Sequence, residues 1–188
     1  MRTAHLFGTV LGPAPSGKGE KKVPDALAKM MASFRDPTTV SGAAFALAGM
    51  DANSREWRAA EIPAANGHGT ARAIARIYGA LARGGEVDGV RLLESASIEQ
   101  AIEEQAFGPD AVLGGMPMRF GLGFMLRHDF MPLSPSPRAF GHPGAGGSIG
   151  MADPDAGVGF GFTLNKMQMG MVGAAGAFAM LEAFYDAL

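Results

Sequence analysis

Hydrophobic and polar positions change rhythm three times along the chain. Between Thr70 and Arg83, Ile74, Ile77, Tyr78 and Leu81 recur at i, i+3, i+4 and i+7, the spacing of one helix face, and Gly84-Gly85 predicts where the helix stops. A turn at Glu86–Gly89 and an apolar run, Val90-Arg-Leu-Leu93, follow, and Ser95 is placed to cap a helix from Ala96 to about Gln105. Earlier, Pro24 suits a first helical position and residues 25–34 have helical composition, whereas residues 36–66 show no clean period and predict irregular structure. Residues 1–23 read as a loop-rich lead-in with a short strand over 6–11.

The last third shifts to a period of two. Phe120-Gly-Leu-Gly-Phe-Met-Leu126 reads as one strand, and residues 148–152 and 157–164 read as two more, joined by the turn signal Asp153-Pro-Asp-Ala-Gly157. The chain closes on a helix whose apolar stripe is Ala174, Ala177, Phe178, Leu181, Tyr185 and Leu188. Consecutive strands on short turns predict an antiparallel sheet, with the helices packed on its faces. The fold class is therefore α/β of the α+β type, with a lead-in over 1–59 and the sheet-bearing part over 60–188.

Composition narrows the function. The chain has 188 residues, 47% of them hydrophobic and 18% charged, with a formal net charge of −2. That balance predicts a core-forming domain rather than a disordered chain, and no basic stripe for nucleic acid. There is no cysteine, which removes disulfide and thiolate chemistry. The most apolar stretch, 169–181, is too short and too glycine-rich to span a membrane, and the first residues make no convincing signal peptide. No membrane partner is expected; the compartment stays open, with the cytoplasm slightly favoured.

Four candidate chemistries follow. Gly12-Pro-Ala-Pro-Ser-Gly17-Lys18 has the spacing of a phosphate loop, but Gly19 replaces the hydroxyl residue after the lysine and two prolines remove amide donors. Gly146-Gly-Ser148-Ile-Gly150 spells G-x-S-x-G, but a strand follows Ser148 where a nucleophile elbow needs a helix, and all four histidines precede it. Metal binding is not expected, because the histidines have no i, i+4 pairing, and His128-Asp129 and Asp153/Asp155 read as surface and turn residues. No cofactor is expected either. His142-Pro-Gly144 is the fourth candidate: a glycine at a strand edge lets a substrate approach, the Ala145 N–H could meet an oxyanion, and His142 could hydrogen-bond a carboxylate or carbonyl. On spacing alone, a tight loop between core strands is the favoured reading of these residues.

FGHPGAGGSIGMADPDAGVGFGFTLNKM (140–167), with FGLGF (120–124) and ANGHGTARAIARIYGALARGGEVDGVRLL (65–93), resembles the serine β-lactamase/penicillin-binding-protein superfamily, and within it the β-lactamase-related family VIII carboxylesterases. The resemblance covers about residues 60–188. It implies a β-lactamase/transpeptidase-like fold, incomplete at the N-terminal side. It places His142-Pro143-Gly144 on the family's third motif, K-T-G in β-lactamases and often H-x-G in the esterases. His142 and Gly144 then become substrate-binding residues, and the Ala145 amide an oxyanion donor.

The family's S-x-x-K nucleophile motif and its Y-x-N occur nowhere in the 188 residues, since no serine has a lysine three positions on and neither tyrosine has an asparagine two positions on. The expectation is the C-terminal half of a serine hydrolase with a small-molecule ester or lactam substrate, esters being favoured by histidine in place of the motif lysine. The alternative is a non-catalytic remnant that pairs with another chain, as a homo-oligomer or with a complementing N-terminal fragment.

Overall fold

A computed structural model describes residues 25–45, 51–168 and 175–188. Among the described residues six helices run in chain order: α1 Asp25–Ser33, α2 Val40–Phe45, α3 Arg55–Ala59, α4 Ala71–Ala82, α5 Ser95–Ala101 and α6 Ala175–Asp186. The strands are β1 Glu86–Val87, β2 Val90–Arg91, β3 Ala106–Asp110, β4 Met116–Phe120, β5 Met125–Leu126, β6 Phe140–Pro143, β7 Ile149–Asp153 and β8 Val158–Phe162. The first two form a hairpin, and β3 to β8 form one antiparallel sheet in chain order. The antiparallel α+β class predicted above is borne out.

Local chemistry accounts for α4. The Thr70 hydroxyl accepts from the Ala73 amide at 3.1 Å, satisfying a free donor of the first turn. At the other end Gly84 and Gly85 take φ of 79° and 91°, where a side chain would be strained, and the Gly85 amide returns to the Ala80 carbonyl at 2.8 Å. The hairpin after it turns through Asp88 and Gly89, both at positive φ, as a two-residue turn matched to strand twist requires.

Other expectations need correction. Within 36–66 the chain forms two short helices, capped by Thr39 and Ser54, which are too brief to show a period. Ser95 is the first residue of α5 rather than its cap; Glu94 is the cap, without a side-chain hydrogen bond, and the helix ends at Ala101. FGLGF is not one strand. Phe120 ends β4, Gly121 to Phe124 turn with Gly123 at φ 80°, and β5 begins at Met125. The turn is held from outside, because a side chain on Gly121 would run into the Ala101 carbonyl. The sheet also contains β3 and β4, whose register sets Pro109 against Pro117. Proline and glycine hide both from propensity, and β3 tolerates them as an edge strand. Ile77 and Leu188, assigned to apolar stripes, are exposed. The 6–11 strand, the phosphate-loop spacing and Ala174 lie outside the described residues.

The two faces of β7 and β8 are packed differently. Ile149 pairs with Phe162 and Met151 with Phe160, and this face meets Ala177, Phe178, Leu181 and Tyr185 of α6. Ile149 and Met151 are fully buried; each contributes about 1.5–3 kcal/mol by leaving water. The opposite face is nearly bare of side chains: Gly150 pairs with Gly161 and Ala152 with Gly159. The backbone of α4 lies directly on it. A Cβ on Gly159 would overlap the Gly79 backbone, and one on Gly161 would come within 2.6 Å of the Ala75 amide.

Asp153 is buried, not a surface turn residue. One carboxylate oxygen accepts the Asp155 and Ala156 amides at 3.0 and 3.1 Å. The other accepts the Tyr185 hydroxyl at 2.8 Å and the Ser134 hydroxyl. Burial by itself would raise its pKa, but the hydrogen bonds from Ser134, Tyr185 and the two amides outweigh it and hold the carboxyl below its ordinary value. Burial, joined by the neighbouring carboxylate, pushes the Tyr185 phenol up, so it remains a donor.

His128 is also buried, at 8% exposure, between Phe107 and Phe130, and its Nε2 has no partner among the described residues. Burial lowers its pKa; Asp129 opposes this, while Arg119 and Arg127 add to it. The unfolded chain takes up this proton near pH 6.5 and the folded chain resists it. Stability is therefore intact above that pH and declines as pH falls below it. His128→Leu is expected to flatten the urea midpoint between pH 7 and 5, where the unsubstituted chain loses stability.

Candidate active site

The β6 edge and the loop after it bring His142, Gly144 and Ala145 together. Strand β6 pairs along its length with β7, His142 opposite Gly150 and Pro143 opposite Ile149. Pairs alternate in direction, so Phe140 and His142 share the face on which α4 lies, and Gly141 and Pro143 face α6. Phe140 anchors the strand in the core against Phe124, at 4.9 Å between ring centroids. His142, two residues on, emerges exposed. Its cross-strand neighbour has no side chain, and the ring of Tyr78 occupies that space: a Cβ on Gly150 would strike it. Tyr78 thus lies beside the site, a residue that the sequence showed only as part of a helix stripe.

The loop is closed by backbone. The Gly144 amide donates to the Ser148 carbonyl at 2.7 Å and the Gly147 amide to the Gly144 carbonyl at 3.1 Å. Gly146 and Gly147 sit at φ 85° and 115°, which a side chain would oppose. Behind them the chain returns after β8: the Gln168 amide donates to the Gly146 carbonyl at 2.8 Å, and the Met167 side chain packs where a Gly146 Cβ would go. Five backbone groups of residues 144–148 are thereby used up. The amide of Ala145, an exposed residue, has no acceptor among the described residues. A held loop with an uncommitted N–H at its tip can donate to an oxygen that gains negative charge.

His142 Nδ1 lies 2.8 Å from the Pro143 carbonyl oxygen, which fixes the ring relative to its own strand. Ser148 is half-buried, its hydroxyl packed against the Cα side of Gly144, and it leads into β7 rather than a helix. No described histidine hydrogen-bonds to it, so among the described residues neither the turn nor the base of a nucleophile elbow is present around it. The described residues bring no three His, Asp or Glu side chains together in a metal-binding group. No described helix is long and apolar enough to cross a membrane.

Known proteins resemble this chain in sequence and in fold. The family model described as Beta-lactamase matches residues 5–184. Over 108 residues the chain is 44% identical to the esterase/beta-lactamase LipL of Mycobacterium tuberculosis (strain ATCC 25618 / H37Rv), covering 57% of this chain and 24% of LipL. Among solved structures, a family VIII carboxylesterase superposes with TM-score 0.68 at 43% identity, over 72% of this chain and 36% of its own. EstA from Arthrobacter nitroguajacolicus Rue61a superposes with TM-score 0.69 at 39% identity, over 80% and 41%. A penicillin-binding-protein homolog from Caulobacter crescentus gives 0.69 at 42% identity, over 72% and 36%. The chain spans about a quarter of the curated relative and little more than a third of these structures. The resemblance read from residues 60–188 is borne out and extends over nearly the whole sequence: this chain belongs to the beta-lactamase family.

Proposed function

We propose that this chain forms one wall of the active site of a serine esterase acting through an acyl-enzyme. A serine outside these 188 residues, activated by its S-x-x-K lysine, attacks the ester carbonyl. The carbonyl oxygen takes the electron pair and is met by the Ala145 N–H while the alcohol departs with a proton; water then attacks the acyl-enzyme and frees the acid. Gly144 lets the loop close against Ser148, whose hydroxyl a side chain here would strike, and so keeps the strand edge in place beside the acyl group, and His142 contacts the substrate. The observation that carries this reading is the uncommitted Ala145 amide on a loop that its own backbone hydrogen bonds and the Gln168 amide hold in place. Losing a donor of this kind costs about 10²–10³ in kcat.

The test is hydrolysis of p-nitrophenyl butyrate. The purified 188-residue chain is expected to show no turnover above buffer. The chain joined to, or mixed with, a family N-terminal half carrying S-x-x-K and Y-x-N is expected to turn over, and Ser148→Ala to leave that rate in place. Turnover by the 188 residues alone, abolished by Ser148→Ala, overturns this reading.

A second reading, a non-catalytic module that pairs with another chain, is favoured by the sheet edges. The outer sides of β3 and β8 have no partner strand among the described residues, and Phe107 on β3 is exposed. Sedimentation that shows a dimer, together with an assembled protein that does not turn over ester, supports it.

A further inference from the structure

The hydrogen bond at His142 fixes more than the ring's position. The Pro143 carbonyl oxygen can only accept, so the 2.8 Å contact places the proton on Nδ1. A neutral imidazole has one N–H, so its Nε2 keeps a lone pair. No hydrogen bond within the described residues occupies that nitrogen, and the side chain is exposed. From Ala139 to Ala152, through β6, the loop and most of β7, His142 is the only ionisable residue. This wall therefore has no fixed cation to pair with a carboxylate. Beside the Ala145 amide, a donor, it presents one side-chain acceptor, at His142.

We infer that His142 recognises a hydrogen-bond donor, and that the site selects uncharged esters carrying a hydroxyl or amide N–H near the carbonyl over esters carrying a carboxylate. The inference rests on the reading of the β6 edge as an ester-site wall. It reverses the expectation from sequence that His142 donates to a substrate carboxylate or carbonyl. A lysine at this position would present only donors and a positive charge, the opposite selection. A carboxylate brought to Nε2 meets a lone pair and loses water without gaining a partner; a hydroxyl gains one.

The experiment uses the ¹⁵N-labelled 188-residue chain, assembled with an unlabelled family N-terminal half whose motif serine is replaced by alanine, at pH 8, and long-range ¹⁵N–¹H correlation spectra of its histidines. His142 is expected to show a protonated Nδ1 and a bare Nε2. Titration with methyl 3-hydroxybutyrate is expected to shift Nε2 and the Gly144–Ser148 amides, and monomethyl succinate to bind about five- to tenfold more weakly, the worth of one net hydrogen bond. His142→Asn keeps an N–H toward the Pro143 carbonyl and has no group at the Nε2 position, so it is expected to erase the preference; His142→Lys is expected to invert it. A proton on Nε2, or equal or tighter binding of the succinate ester, overturns the inference. A protonated Nδ1 with no response to either ester overturns the ester-site reading, and the selectivity with it, while leaving the tautomer assignment standing.

Discussion

Asp153→Ala is expected to lower the unfolding free energy by about 3–5 kcal/mol, the cost of breaking a buried charged network. Four donors converge on this carboxylate: the Ser134 and Tyr185 hydroxyls and the Asp155 and Ala156 amides. Alanine leaves them without an acceptor inside the protein, against a total stability of about 5–15 kcal/mol for a domain of this size. The network also joins three distant parts of the chain: the end of β7, the segment before β6, and α6. Urea denaturation followed by circular dichroism measures the loss. A decrease under about 1 kcal/mol would show that the network adds little.

The same carboxylate predicts a pH dependence. Its folded pKa is depressed, so its contribution is fully present above the unfolded value near 3.9 and is lost as pH falls through the folded value. Asp153→Asn is less stable at neutral pH and lacks that acid-side loss. This window lies below the one set by His128, so the two residues are separable in a single pH series.

Gly159→Ala is the second large effect, about 3 kcal/mol or more from one methyl group. Its Cβ would overlap the Gly79 nitrogen and Cα and stand 2.6 Å from the Ala75 carbonyl, all of them backbone. Side chains can rotate away from an intruding atom; here α4 would have to lift from the sheet. Gly79→Ala, at the same contact, has the reverse outcome. Its Cβ would meet only the Arg83 guanidinium at 3.5 Å and the Gly159 backbone at 3.9 Å and beyond. That substitution is expected to be neutral or to stabilise by about 0.5–1 kcal/mol, the usual gain over glycine inside a helix. Thermal melts of the pair decide the matter, and comparable melting temperatures would contradict the close approach.

Much of the architecture was legible because its causes are local. Thr70 and Gly84-Gly85 bracket α4 through bonds to their own helix, and residues 153–157 turn β7 into β8 through groups a few positions apart. Glycines at Gly144, Gly146 and Gly147 marked the site loop for the same reason. The split of Phe120–Leu126 was not legible, since the Gly121 turn is fixed by the Ala101 carbonyl in another element. Nor were β3 and β4, whose prolines read as breakers; Pro109 is tolerated on the edge strand β3, and Pro117 on the stretch of β4 that β5 does not pair with. The aromatic enclosure of His128 depends on Phe107, far off in sequence.

Asp153 contains the division in one side chain. The sequence by itself determined what its first oxygen does, because Asp-Pro-Asp-Ala-Gly brings the Asp155 and Ala156 amides to it within three residues. Only the tertiary structure decided its second oxygen, which takes Ser134 and Tyr185 from 19 and 32 positions away. His142 divides similarly. The sequence determined that a histidine stands at the strand edge beside a glycine loop, and through its motifs the family. The folded strand decided which ring nitrogen holds the proton, because a neutral imidazole has a single proton and the Pro143 carbonyl can only accept it.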